Sequence, residues 1–151
     1  MAFPEINDNA DSRRRLEELA GRLTGEDLAL TTHYGWSVAA LFAHMAWWDQ
    51  RILVLLRRWK EDGVDESPVD SYMINESLKP LCHALDPQKA IALCLASAKE
   101  TDAELEATSA ELISEIEASP NYFRINRSLH RNGHIDDIES LLSDRTAARG
   151  G

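Results

Sequence analysis

At 151 residues the chain is long enough for one domain with a single sizeable core, and 44% hydrophobic with 28% charged residues is a globular composition. A formal net charge of −10 excludes the usual nucleic-acid or anionic-membrane binder, which needs a basic patch. Arg13-Arg14-Arg15 and Arg57-Arg58 are local runs set against 26 carboxylates. No apolar stretch reaches a membrane span, and Met1-Ala2-Phe3-Pro4-Glu5 lacks the basic start and apolar run of a signal peptide. Cys82 and Cys94 fit a reducing cytoplasm as free buried thiols, a disulfide between them being the alternative.

After a short polar lead-in, Leu16, Leu19, Ala20 and Leu23 recur at helical spacing. Asp8, Asn9 and Asp11 are available as caps, and Thr24-Gly25 as a stop. A loop from Glu26 to Tyr34 follows. The second helix has the clearest ends: Ser37 as cap, Trp36 and Leu41 as a hydrophobic staple, Arg57, Arg58 and Lys60 in the closing turns, and Gly63 as stop. An acid- and proline-containing linker, Asp62 to Pro68, leads to a weaker helix over about 69–85, which Pro80 should kink or divide. Asp86-Pro87 starts a new helix with Ile91, Cys94, Leu95, Ala98 and Leu105 on its core face. Thr108 with Glu111 resembles a capping box and predicts a break before Leu112, Ile113 and Ile116. After the turn Ser119-Pro120-Asn121, the last helix is expected over about 122–144, with a frayed tail from Thr146 to Gly151. No stretch alternates with period two for long enough to make a strand, and no internal repeat is visible. The pattern predicts one all-α domain over 1–151, with a core over about 9–144 and four principal helices in an antiparallel bundle.

Three histidines fall on faces expected to be buried. His130 and His134 are four apart, in line with Ile138 and Leu141. His44 lies in the stripe Leu41, His44, Trp48, Ile52, Leu55, Trp59. A single histidine in such a place is ordinarily a core residue bonded to a backbone carbonyl. Three on the inward faces of two helices outline a three-nitrogen site for zinc or nickel, with coordination positions left for water or substrate. The zinc-protease motif is absent, because Arg131 follows His130 where that motif has its glutamate. Asp49, Asp136 and Asp137 are candidates to orient a ring N–H, with solvated surface charge as the plainer reading. His33 and His83 have no partner at ligand spacing. Cys82 beside His83 is not a catalytic pair, because neighbours on a helix diverge by about 100°.

Gly35-Trp36-Ser37-Val38 followed by Leu41-Phe42-Ala43-His44-Met45-Ala46-Trp47-Trp48-Asp49-Gln50-Arg51 resembles the second helix of the DinB family. His130-Arg131-Asn132-Gly133-His134-Ile135-Asp136-Asp137-Ile138-Glu139 resembles that family's last helix, and Asn75-Glu76-Ser77-Leu78 and Ala84-Leu85-Asp86-Pro87 are similar in style and order. The resemblance spans about 11–142. It implies a four-helix bundle of up-down-down-up connectivity, often a homodimer, in which His44, His130 and His134 bind a divalent cation, commonly nickel or zinc. The superfamily includes mycothiol-dependent maleylpyruvate isomerase and bacillithiol transferases. The reading that follows is a metal-dependent thiol transferase or thiol-assisted isomerase acting on an electrophilic small molecule, with a low-molecular-weight thiol as co-substrate. The alternative is a non-enzymatic, stress-induced metal-binding bundle. Catalytic residues are not identified. Asn126, four before His130, is a candidate to line the pocket or to fill a core or rim position. Arg51, seven past His44, is a candidate to receive the carboxylate of a thiol cofactor or to snorkel to the surface.

Overall fold

Caps and breaking residues divide the chain into seven helices in the computed structural model, which describes residues 3–150. They are α1 (Ile6–Arg22), α2 (Gly25–Ala29), α3 (Val38–Asp62), α4 (Ser71–Ala84), α5 (Pro87–Glu106), α6 (Ala110–Ala118) and α7 (Ser128–Arg149). Met1, Ala2 and Gly151 lie outside the described residues, and with them the outermost parts of the expected lead-in, leaderless start and tail. Among the described residues no strand forms, Thr31 and Ser37 meeting in one isolated bridge, and no helix is long and apolar enough to cross a membrane. The fold is all-α, as the periodicity indicated.

The central element is α3. Ser37 accepts a hydrogen bond from the Ala40 amide at its start, and Gly63, at φ +82°, closes it in a conformation that favours a residue without Cβ. Alongside it and in the same direction runs α5, with Gln50 meeting Ser97, the Asp49 carbonyl meeting Thr101, and Arg57 meeting Glu104. Helix α7 runs against α3, with His44 beside His134 and Asp49 beside Arg131 and Arg127. It runs alongside α1, with Asn9 meeting Arg127, Arg15 meeting Asp136 and Arg22 meeting Glu139.

Two apolar clusters share the interior. One packs Leu41, Phe42 and Met45 with Leu16, Leu19, Ile135 and Ile138; the other packs Ile52, Leu56 and Trp59 with Leu105, Ile113, Ile116 and Ile125. Between them along α3 lies Asp49. It is 1% exposed and bound by Arg127 Nε at 2.9 Å and Arg131 Nε at 3.1 Å. Arg131 is itself fully buried and forks onto Asp102 with bonds of 2.8 and 3.1 Å, while also reaching the Asn9 carbonyl and the Ser12 hydroxyl. One guanidinium thus ties α1, α3 and α5 to α7. A buried charge is tolerated only when paired and hydrogen-bonded, and this one is. Asp49 is therefore neither a solvated surface charge nor the partner of a ring N–H.

Several boundaries differ from the local reading, each for a tertiary reason. Helix α1 starts at Ile6, and Asn9, expected as a cap, is buried within it. Its side-chain Nδ2 donates to the Ile125 carbonyl and its side-chain Oδ1 accepts from the Arg127 and Ser128 backbone amides. Helix α7 accordingly starts at Ser128 and not near Tyr122, because its first free N–H groups are satisfied from α1. Thr24 does not end a helix but opens α2 with an Asp27 capping box, turning part of the expected loop helical. Pro80 does not divide α4: both it and Glu76, whose carbonyl loses its helical partner, face solvent. The break after α5 is capped by Ser109, which accepts from the Leu112 amide, while the Thr108 hydroxyl turns back to the Glu104 carbonyl. The expected frayed tail is helical through Arg149, held where Arg145 pairs with Asp27 and Arg149 with Glu26.

Candidate metal centre

Helices α3 and α7 bring the three histidines together. His44 Nε2 lies 3.0 Å from His130 Nε2, which in turn lies 3.2 Å from His134 Nε2, and the candidate ligand atoms of all three residues fall within 4.8 Å of one another. Two nitrogens about 2.0–2.1 Å from one ion lie roughly 2.9 Å apart at right angles and roughly 3.3 Å apart at the tetrahedral angle. The observed spacings fall in that range, so the three side chains can hold a metal ion.

The donor set is hard to explain as ordinary core histidines. His83 shows the ordinary pattern: its Nδ1 meets the Lys79 carbonyl at 2.8 Å and its Nε2 accepts from the Ser37 amide at 3.1 Å, which fixes the tautomer. His44, His130 and His134 have no such carbonyl. Their close contacts are to one another, and Nδ1 of His44 and of His134 is buried without any partner. Three Nε2 atoms turned toward one another with no carbonyl or hydroxyl between them are a donor set for a cation, whereas the two unpaired Nδ1 atoms, on the far side of their rings, each carry a cost of roughly 1–3 kcal/mol that a metal at Nε2 leaves in place. The nearest carboxylate oxygen to His134 Nδ1 is Asp137 Oδ2 at 4.0 Å, itself bound by the Tyr34 hydroxyl at 2.6 Å. Asp136 instead pairs with Arg15 at the surface.

Burial and mutual repulsion keep the rings unprotonated, the form in which imidazole ligates. Burial, then the neighbouring His134, depresses His44 to about 3. Burial, then His134, His44, Arg127 and Arg131, depresses His130 to about 2. Burial lowers His134, with Asp137 opposing it. These folded values lie below 6.5, so the unfolded chain takes up protons that the folded chain does not. Metal-free stability should be full above pH 6.5 and fall as the pH drops through that value towards 3. Denaturant midpoints measured with chelator between pH 7.5 and 5 should therefore decline, and a flat series would contradict these depressions.

One side of the cluster opens onto a cavity of about 310 Å³, whose wall includes His44, His130, Trp48, Asn75, Tyr122 and Arg124. A second hollow of about 320 Å³ reaches His44, His130 and His134 from the side of Tyr34 and Trp36, and Asn75 belongs to both. Trp48 Nε1 donates to Asn75 Oδ1 at 3.0 Å, which fixes the amide at the boundary.

The other expected residues have different employment. Arg51 donates to the Tyr122 and Ser67 carbonyls and the Ser67 hydroxyl, fastening α3 to two loops, and Asn126 accepts from Ser128 at the start of α7. Neither lines the cavity beside His44 and His130. His33 is exposed against Tyr34. Cys82 and Cys94 are free and buried, and burial pushes both thiols up. Local reading missed Asn75, Tyr122, Arg124 and Arg127; only Arg127, one helical turn before His130, carried a spacing signal.

Four long helices enclosing a three-histidine cluster beside a solvent-open cavity define an all-α protein with a candidate metal site. A family model of the DinB superfamily matches residues 10–135, a span that contains all three histidines, and the chain belongs to that superfamily. No curated protein and no solved structure matches the chain.

Proposed function

We propose that His44, His130 and His134 bind a divalent transition metal, zinc or nickel, and that the protein is a thiol-dependent transferase or isomerase acting on an electrophilic small molecule. The observation that carries this reading is the convergence of three ring nitrogens at the wall of a cavity, where a reactant has room, and not in packed core. Zinc or nickel held there would lower the pKa of a thiol or water and polarise an electrophile. The protein's own contribution is positional. Three neutral imidazoles supply one face of ligands, Trp36 and Leu41 add apolar wall beside them, and Asn75 offers an amide to a reactant beside His44. Asp49 and Arg131 hold α3 against α7 and so set the distance between the ligands.

The proposal extends to a cytoplasmic homodimer that pairs through the apolar face of Leu81, Leu85 and Leu93 beside Trp47; a sedimentation mass of one chain would contradict the dimer. The chemistry is tested with cobalt-substituted protein. Addition of glutathione, bacillithiol or mycothiol should shift the visible absorption of the metal, and the thiol that does so should be consumed with a chlorodinitrobenzene electrophile. A spectrum unmoved by any thiol contradicts the reading and favours a metal that only joins α3 to α7.

A further inference from the structure

The chain carries a net charge of −10, and ten of its twelve arginines face a carboxylate within ion-pair distance among the described residues. Arg51 is engaged by carbonyls. Among the described residues Arg124 has no carboxylate partner, and its guanidinium lies over the Tyr122 ring at 5.4 Å from the centroid. It stands in the wall of the cavity beside His44 and His130, and no acidic side chain lines that cavity. Arg127 is in the same wall, with Nε committed to Asp49. In a protein with 26 carboxylates, a cavity whose wall holds an arginine without a carboxylate partner and no acid is a local reversal of charge. Trp48 and Tyr122, edge to face at 6.4 Å, add apolar surface next to it.

We propose that this cavity selects a small ligand bearing a carboxylate, received by Arg124, with its apolar part against Trp48 and Tyr122 and its other end directed at His44 and His130. A guanidinium fork matches a carboxylate in two parallel hydrogen bonds, roughly twice as strong as neutral ones, and the Tyr122 ring 5.4 Å away gives the guanidinium a face to rest on. The function suggested for Arg51 by spacing alone thus belongs to Arg124. What happens at the histidine end rests on the thiol reading above; the anion preference does not.

Cobalt-loaded protein titrated with 3-mercaptopropionate and with 3-mercaptopropionamide, followed by visible absorption, compares one thiol with and without the charge. The acid should bind about tenfold more tightly or better, as expected for one charge-assisted pair. In Arg124→Gln the two affinities should come within about twofold, and Arg124→Lys should keep part of the difference. Tryptophan fluorescence with butyrate and butyramide reads the anion without the thiol. Equal affinity for acid and amide in the wild type, or a preference that survives Arg124→Gln, overturns the proposal. Absorption unmoved by either thiol overturns the thiol reading instead, and the butyrate series then decides the anion preference by itself.

Discussion

Replacing Arg131 with alanine should destabilise the protein by about 3–5 kcal/mol, the usual cost of removing one partner from a buried ion pair. For a chain of this length that corresponds to a fall in Tm of roughly 10 °C. The reason is what the substitution strands. Asp102 would keep only Arg13 at 3.1 Å, and Asp49, 1% exposed, would keep Arg127 alone. The Asn9 carbonyl and Ser12 hydroxyl would lose a donor in the same layer. Urea unfolding followed by circular dichroism measures it; a loss below about 1 kcal/mol would mean that the layer between the two apolar clusters contributes little. Arg15→Ala is the contrast, because its partner Asp136 is exposed and Glu139 only half-buried, and its loss should cost at most about 1 kcal/mol.

His130→Ala should remove metal binding altogether. His130 Nε2 is the atom shared by both short contacts of the cluster, so its loss leaves His44 and His134 without the ligand between them. Outer partners of a metal ligand cost roughly 10–100-fold in affinity when removed, and a ligand from a set of three should cost more. The readout is a thermal shift. Wild-type protein with zinc or nickel at about 1,000 times Kd gains roughly 4 kcal/mol by mass action, and the variant should gain none. If His130→Ala keeps the full shift, the metal is bound elsewhere. The parallel variant Arg124→Gln should keep it, since Arg124 is not among the clustered donors.

What could be read locally was what local chemistry determines. Ser37 and Gly63 bound α3 because a cap and a positive φ need only their own neighbours, and His44 was placed inward because the stripe from Leu41 to Trp59 repeats at helical spacing. The i, i+4 pair of α7 was legible for the same reason. Features set by distant residues were not. The start of α7 depends on an asparagine 118 positions earlier, and a chain read in windows cannot supply that cap. Asp49 and Arg131 look like surface charges in their own helices and become buried only because they meet each other and Asp102. Arg51 had the spacing for a ligand-facing cation, but Ser67 and the Tyr122 carbonyl claim its donors, while Arg124 reaches the cavity from the irregular segment between α6 and α7, where helical spacing gives no signal.

Whether the three histidines form a metal site is decided by metal analysis of protein purified without a tag. About one zinc or nickel ion per chain is expected, lost in each of His44→Ala, His130→Ala and His134→Ala. Protein that carries no transition metal, takes up none when incubated with zinc or nickel, and behaves identically in the three variants would contradict it.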